Sequence, residues 1–92
     1  MADAESTGNA AFVKASQDVN NLTTKPSNEE LLELYALFKQ GIFGDNDTPA
    51  PGMFEFKAKA KYNAWREKAG MSKAEAQEKY IAYANSLIEK YK

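Results

Sequence analysis

Residues 56–65 read FKAKAKYNAW, and the local structure of this stretch decides between two fold classes. In a strand, Lys57, Lys59 and Lys61 would share one face and form a solvated edge. In a helix, which turns by about 100° per residue, Lys57 and Lys61 lie one turn apart on one face, and Lys59 points away from them. Alanine and lysine favour a helix, and the stretch has no β-branched residue. We therefore predict a helix over residues 54–69.

Three further helices follow from apolar periodicity and from capping signals. Apolar residues at steps of three and four predict one helix over residues 10–22. Ser27 and Ser72 each begin a capping box, in which a serine and a glutamate three residues later satisfy free backbone amides. The first box predicts a helix that reaches Ile42, and the second predicts a helix that reaches Tyr91. No strand pattern competes and the connections are short, so we predict an all-α fold, a four-helix antiparallel bundle.

The length of the chain sets its domain organisation. Its 92 residues leave no room for a second hydrophobic core, so we expect one folded domain. We predict that residues 1–9 form a flexible polar N-terminal extension and that residues 10–92 form the helical domain. Residues 44–52, GDNDTPAPG, are rich in turn formers and predict the loop between the second and third helices.

The composition excludes several classes of function. Twelve basic and thirteen acidic residues give a net charge of −1, which provides no general attraction to nucleic acid. The chain has no cysteine and no histidine, and so lacks a thiol nucleophile, the commonest general base and the commonest metal ligand. We therefore expect a protein that is not an enzyme and holds no metal. We also expect it to be cytoplasmic, because it shows neither a secretory signal nor an apolar run of about 20 residues.

Lys57 and Lys61 are the first candidates for a binding site. A pair of like charges at i, i+4 destabilises an isolated helix by about 0.2–0.5 kcal/mol. A helix keeps such a pair either because solvent screens both ammonium groups or because an anion binds between them. Lysine is a common partner of phosphate, and the spacing leaves both interpretations open.

The second helix offers a matching set of side chains. Tyr35 and Lys39 are one turn apart with Phe38 beside them, and together they could receive a purine by stacking and a phosphate by charge. Tyr35 and Phe38 could equally be core residues past which Lys39 extends to solvent. Tyr80, in the middle of the last helix, could add a second phenol to the same site or be a half-buried core tyrosine.

Four sequence motifs carry a resemblance to a known family. They are FKQGIFGD at 38–45, PGM at 51–53, FKAKAKYNAW at 56–65 and the pair YI at 80–81. Taken together, these motifs resemble those of the acyl-CoA-binding protein family. The resemblance extends over about residues 12–91, nearly the whole chain.

The resemblance implies a skewed bundle of four antiparallel helices that binds long-chain fatty acyl-CoA thioesters without transforming them. Members of the family are intracellular carriers that keep acyl-CoA soluble and buffer its free concentration. Carried over by position, the residues of the CoA head-group site are Tyr35, Phe38, Lys39, Lys57, Lys61 and Tyr80. By the same resemblance, the acyl chain runs in a groove near Phe12, Ser16, Leu32 and Ala60. We expect a monomer that neither binds nucleic acid nor inserts stably in a membrane.

The resemblance also assigns individual roles and shows departures from the family pattern. It places Tyr35 and Lys39 against the adenine and the ribose 3′-phosphate, with Lys61 and Tyr80 closing on that phosphate. Phe38 stands where the family commonly has tyrosine, so one hydroxyl is missing, which weakens binding by about 1.5–3 kcal/mol at most.

Two more departures affect the surroundings of the predicted site. Asn20 stands where a lysine is often found, which removes one cation near the phosphates. Ser16 replaces the usual alanine near the acyl path, which could shift the preferred chain length.

An alternative function remains compatible with the residues themselves. The aromatic groove could accept a partner helix or a nucleotide, which would make the chain a helical interaction module. A nucleic-acid surface fits less well, because Arg66 is the one arginine in the chain and no extended basic stripe exists.

Overall fold

The computed structural model describes residues 4–91, and over this range the chain forms helices and no strands. The four α-helices are α1 (Ala10–Asn20), α2 (Asn28–Phe43), α3 (Phe56–Arg66) and α4 (Lys73–Tyr91). A short 3-10 helix, Ala4–Thr7, precedes α1. The predicted all-α, four-helix fold is confirmed. Over the described part of the chain, no helix combines the length and apolar character that a membrane crossing needs.

Side-chain caps explain where three of the helices begin. The Ser27 hydroxyl accepts a hydrogen bond from the Glu30 amide at 3.2 Å, and the Glu30 carboxylate accepts one from the Ser27 amide at 2.9 Å, as the capping box predicts. The Ser72 hydroxyl accepts a hydrogen bond from the backbone amide of Glu75 at 3.1 Å and starts α4. Asn9 caps α1 through its side-chain oxygen, which accepts from a backbone amide of the first turn.

Helix α3 is shorter than predicted at both ends. The residues before it form a turn instead, in which the Glu55 amide donates to the Gly52 carbonyl at 3.1 Å. At the other end, the amides of Lys68 and Ala69 bond to carbonyls three residues back, which tightens the last turn and ends the helix. Gly70 follows with φ of +90°, a conformation that other residues rarely adopt.

The helices do not pack uniformly. Helix α4 packs against α1 and against α2, whereas α3 packs against α2 and no other described helix. The core cluster lies where α1, α2 and α4 meet, and its largest members include Phe12, Leu37, Tyr80 and Leu87. Two contacts hold the end of α3 and the residues after it on α2 and its C-cap: the Trp65 indole donates to the Gly44 carbonyl at 2.8 Å, and Lys68 pairs with Glu33 at 2.8 Å. The face between α2 and α3 is therefore less filled than the core.

The beginning of the chain is described in part. Ala4 is buried in the core cluster, and the 3-10 helix Ala4–Thr7 packs against α1 and α2. Helix α1 begins at Ala10, and the domain boundary at this residue stays a prediction. Residues 1–3 of the predicted extension lie outside the described residues, and the flexibility of residues 1–9 stays a prediction.

The end of α4 is held on the beginning of α2. Glu30 accepts hydrogen bonds from the Tyr91 hydroxyl and from the Lys90 ammonium, the latter at 2.9 Å. The Tyr91 hydroxyl bond, together with the Ser27 amide and Lys90, lowers the pKa of Glu30 to about 2. This cluster joins two helix ends that are 60 residues apart in the sequence.

Candidate functional site

Tyr35 lies close to two cations that come from different helices. The ammonium nitrogen of Lys39, one turn along α2, is 5.6 Å from the centroid of the Tyr35 ring. The ammonium nitrogen of Lys61, on α3, is 5.3 Å from the same centroid. Both distances fall within the range of a cation–π contact. The packing of α3 on α2 thus brings together residues that are far apart in the sequence.

A concavity of about 540 Å³ opens over this arrangement. It is lined by Tyr35, Lys39, Lys57 and Lys61, by Trp65, and by residues of the loop that precedes α3. Three ammonium groups and no carboxylate line it, counted over the described residues. Such a surface attracts an anion even though the chain as a whole is slightly acidic.

The loop wall of this concavity is fixed by hydrogen bonds. The side-chain amide of Asn46 donates to the backbone carbonyl of Tyr62 at 3.2 Å, and its oxygen accepts from the Thr48 amide at 3.0 Å. Asp45 accepts from the Gln40 side chain and from the Gly70 amide, and these two bonds lower the pKa of its carboxyl group. The wall is held in place before any ligand arrives.

A second concavity, of about 440 Å³, continues between α2 and α3. Its apolar lining consists of Leu31, Leu32, Phe56 and Ala60. It shares Lys57 and Lys61 with the first concavity and has Lys25 and Asn28 at its border. One end of this combined cleft is cationic and the other is apolar, an arrangement that suits an amphipathic ligand.

A third and smaller concavity, of about 200 Å³, adjoins both of the others. It shares Tyr35 with the first and Leu31 with the second, and it includes Phe38 and Tyr80. The rings of Phe38 and Tyr80 are 5.6 Å apart between centroids. Burial raises the pKa of Tyr80 to about 12, so its hydroxyl keeps its proton at neutral pH and is a hydrogen-bond donor. Asn20 also borders this space, as expected for a position near the predicted site.

The structure divides the four predicted acyl-chain residues into two pairs. Leu32 and Ala60 both line the second concavity. Phe12 is completely buried beneath Phe38 and Tyr80, at ring-centroid distances of 5.4 and 5.1 Å. A ligand therefore reaches Phe12 only if one of these rings moves.

Ser16, like Phe12, is buried. Its hydroxyl donates to the Val13 carbonyl at 2.7 Å, within the same helix. Ligand contacts of Phe12 and Ser16 stay predictions, and both residues have clear structural roles in the core.

Sequence reasoning missed several residues of the cleft. Leu31 and Phe56 provide much of its apolar lining, and Phe43 lies with its ring 5.0 Å from the Lys39 ammonium. Leu31 belongs to the apolar stripe of α2, and Phe56 begins the lysine-rich stretch, so both signals were present in the sequence. Phe43 follows Lys39 by one turn of α2, so their contact has a local spacing, whereas the contact of Phe43 with Trp65, at 6.0 Å between ring centroids, crosses from α2 to α3.

The described residues of this cleft contain no group of side chains that could hold a metal ion. Within residues 4–91, no three acidic side chains gather in a way that could hold a metal ion. The titratable groups that line the three concavities are lysines and tyrosines. These are groups that bind anions and donate hydrogen bonds.

Comparisons with known proteins agree on one family. A family model described as Acyl CoA binding protein matches residues 9–84. The Acyl-CoA-binding protein homolog 1 of Caenorhabditis elegans is 56% identical over 81 residues, which cover 88% of this chain and 94% of that protein. The Acyl-CoA-binding protein of Saccharomyces cerevisiae is 49% identical over 80 residues, which cover 87% of this chain and 92% of that protein.

Solved structures give the same result. The crystal structure of Oryza sativa Acyl-CoA-Binding Protein 2 is 36% identical, with a TM-score of 0.83, covering 87% of this chain and 89% of that one. The solution structure of the yeast protein is 48% identical, with a TM-score of 0.73, covering 89% of this chain and 95% of that one. The resemblance read from the four motifs is confirmed. The chain belongs to the acyl-CoA-binding protein family.

Proposed function

We propose that this protein binds long-chain fatty acyl-CoA thioesters with high affinity and serves as a cytoplasmic carrier and buffer of the acyl-CoA pool. The observation that carries the proposal is the two-part cleft between α2 and α3. Its cationic end, around Tyr35, and its apolar end, around Leu32 and Ala60, share Lys57 and Lys61. An acyl-CoA molecule has the same division into an anionic head and an apolar tail.

The head group would bind at the cationic end. The face of the Tyr35 ring provides a surface on which adenine can stack. The ammonium groups of Lys39 and Lys61 lie 5.6 and 5.3 Å from the centroid of this ring and can pair with phosphate oxygens. Lys57 adds a third cation to the same concavity, and the protonated Tyr80 hydroxyl is a further donor on the neighbouring side of Tyr35.

The acyl tail would bind at the apolar end. Each methylene that leaves water for this lining contributes about 0.8 kcal/mol. A sixteen-carbon tail has enough methylenes to dominate the affinity after the cost of ordering the chain. The cationic end would then select CoA thioesters over free fatty acids.

The lining of the cleft favours carriage over catalysis. The chain has no histidine and no cysteine, and the three concavities are lined by no carboxylate among the described residues. With its pKa raised to about 12, Tyr80 does not act as a general base at neutral pH. We therefore propose that the protein is not an enzyme and acts as a monomer, without a nucleic-acid partner and without inserting stably in a membrane.

Parallel titrations with palmitoyl-CoA, CoA and palmitate test this proposal. Trp65, the one tryptophan of the chain, lines the cationic concavity and reports on it by fluorescence, while calorimetry gives the stoichiometry. We expect one-to-one binding of palmitoyl-CoA, weaker binding of CoA and little binding of palmitate. An absence of heat and of fluorescence change with palmitoyl-CoA would contradict the proposal and favour an interaction module that binds a partner helix or a nucleotide.

A further inference from the structure

The apolar concavity between α2 and α3 has polar groups at the end that lies away from the head-group site. Lys25 and Asn28 line this concavity and do not line the cationic one. In the chain they precede Leu32, whereas Lys39, at the cationic end, follows it. With a rise of about 1.5 Å per residue, Asn28 and Lys39 lie roughly 16 Å apart along the axis of α2. We name Lys25 and Asn28 the far end of the cleft.

The backbone at the far end of the cleft is restrained. Pro26 is buried, its ring fixes one of its own backbone angles, and it also restricts the backbone of Lys25 before it. Ser27 follows as the N-cap of α2, where the capping box with Glu30 holds it. Lys25 therefore leaves the backbone at a defined place beside the concavity, while its side chain is exposed.

The charge at the far end of the cleft is not used within the described chain. Over residues 4–91, the ion pairs are formed by other lysines, namely Lys14, Lys68 and Lys90. No carboxylate lines the apolar concavity over the same range. An ammonium group and a carboxamide at the end of an apolar groove are complementary to an anionic group at the end of an apolar tail.

We infer that the cleft accepts monothioesters that CoA forms with long-chain dicarboxylic acids, whose free carboxylate binds at the far end. The Lys25 ammonium pairs with this carboxylate, and the side-chain amide of Asn28 donates a hydrogen bond to it. The three lysines that line the apolar concavity then divide into Lys57 and Lys61 at the phosphates and Lys25 at the tail terminus. The inference rests on the proposed function and deepens it by naming a ligand class.

Two thioesters of equal chain length test the inference by calorimetry with the full chain. Palmitoyl-CoA has a methyl group at the end of its tail, and hexadecanedioyl-CoA has a carboxylate there. A carboxylate that enters an apolar groove without a partner is strongly disfavoured, whereas a paired one is tolerated. We expect the two dissociation constants to agree within about tenfold. A larger loss for hexadecanedioyl-CoA would overturn this inference alone, and no binding of either thioester would overturn the proposed function as well.

Substitutions of Lys25 separate a specific contact from general charge attraction. Lys25→Ala should weaken binding of hexadecanedioyl-CoA about fivefold more than binding of palmitoyl-CoA, and Lys25→Glu about tenfold more. The matched control is Lys79→Ala, an exposed lysine on α4 that lines a different concavity, and it should leave the ratio of the two affinities unchanged. Lys25 is exposed, so circular dichroism should show an intact fold. Equal changes of the ratio in the Lys25→Ala and Lys79→Ala variants would overturn the inference.

Chain length and the nature of the terminal group give independent results. Because Lys25 leaves the backbone at a fixed place, the affinity of each dicarboxylic thioester relative to its monocarboxylic counterpart should pass through a maximum as the chain lengthens. A ratio that does not depend on chain length would overturn the inference. The ω-hydroxy counterpart of palmitoyl-CoA has a polar but uncharged end, so Lys25→Glu should affect it much less than hexadecanedioyl-CoA. Equal effects on these two ligands would show that no charge pairing occurs at the far end.

Discussion

The two sides of α2 differ in how completely neighbouring side chains fill the space beside them. On one side α2 packs against α4, which buries Tyr80 and Leu87 among its residues, and the space between them is filled by the core. On the other side α2 faces α3, which buries Trp65 alone among its eleven residues. Helix α4 directs an apolar stripe into the core, whereas α3 is rich in alanine and lysine. Of the side chains that α3 does not bury, Lys57, Lys61 and Phe56 line the open cleft.

Because the core lies on one side of α2 and the open cleft on the other, the stability and the binding properties of this protein reside in separate residues. Replacing a residue of the core between α1, α2 and α4 should change the free energy of unfolding. Replacing a residue of the α2–α3 cleft should change ligand affinity while the fold remains.

Phe12→Ala should produce the largest loss of stability. Phe12 is completely buried and touches the rings of Phe38 and Tyr80, so its removal leaves a cavity in the core. Such substitutions cost about 3–5 kcal/mol, which is a large part of the stability of a small domain. Urea denaturation followed by circular dichroism measures the change. Lys61→Ala is the matched control from the cleft and should change stability by about 0.5 kcal/mol or less.

Ala60→Phe should weaken binding of the acyl tail while the head-group site remains. Ala60 lines the apolar concavity and is partly buried, so a larger side chain fills space that the tail would occupy. Exclusion of about three methylenes would cost about 2 kcal/mol of palmitoyl-CoA affinity. Calorimetry with palmitoyl-CoA and with CoA separates the contribution of the acyl tail from that of the head group. An equal loss for both ligands would place the tail elsewhere.

Phe38→Tyr should strengthen head-group binding. Phe38 borders the small concavity beside Tyr35 and Tyr80, and a hydroxyl at this position could donate a hydrogen bond to a phosphate. A hydrogen bond to a charged group contributes about 1.5–3 kcal/mol at most, and a gain of about 1 kcal/mol in CoA affinity is expected. Unchanged CoA affinity, with the fold intact, would show that the ring edge does not face the head group.

Acidification should weaken the contact between the ends of α2 and α4. The pKa of Glu30 is lowered to about 2 from an ordinary value of 4.5, mainly by the Tyr91 hydroxyl. A lowered pKa means that Glu30 stabilises the fold above pH 4.5 and that this contribution is lost as the pH falls toward 2. Tyr91→Phe should therefore lower the urea midpoint at pH 7, with a difference from the parent chain that shrinks toward pH 2. A difference that stays constant over this pH range would contradict the assignment.

Much of the fold could be predicted from the sequence because its signals are local. The capping box at Ser27 and the periodicity of α1 and α4 depend on residues within one or two turns of each other. The predicted start of α3 lies two residues before the observed one, because the turn at Gly52 depends on a hydrogen bond from the Gly52 amide to the Glu55 side chain that propensity does not reveal.

The site was predictable to a smaller extent. The helical spacing in α3 brings Lys57 and Lys61 to one concavity, as expected. Their position beside Tyr35 depends on how α3 crosses α2, and the family resemblance supplied that pairing. The complete burial of Phe12 and the contact of Phe43 with Trp65 depend on packing across helices.

The most direct test of the central claim compares two neighbouring lysines of α3. Lys61 lines the cleft with its ammonium group 5.3 Å from the Tyr35 ring centroid, whereas Lys59 lines none of the three concavities. Calorimetric titration with palmitoyl-CoA should show that Lys61→Ala weakens binding by about 1.5–3 kcal/mol, the loss of one charged hydrogen bond, and that Lys59→Ala leaves it unchanged. Equal effects of the two substitutions, or no effect of Lys61→Ala, would contradict a phosphate site between α2 and α3.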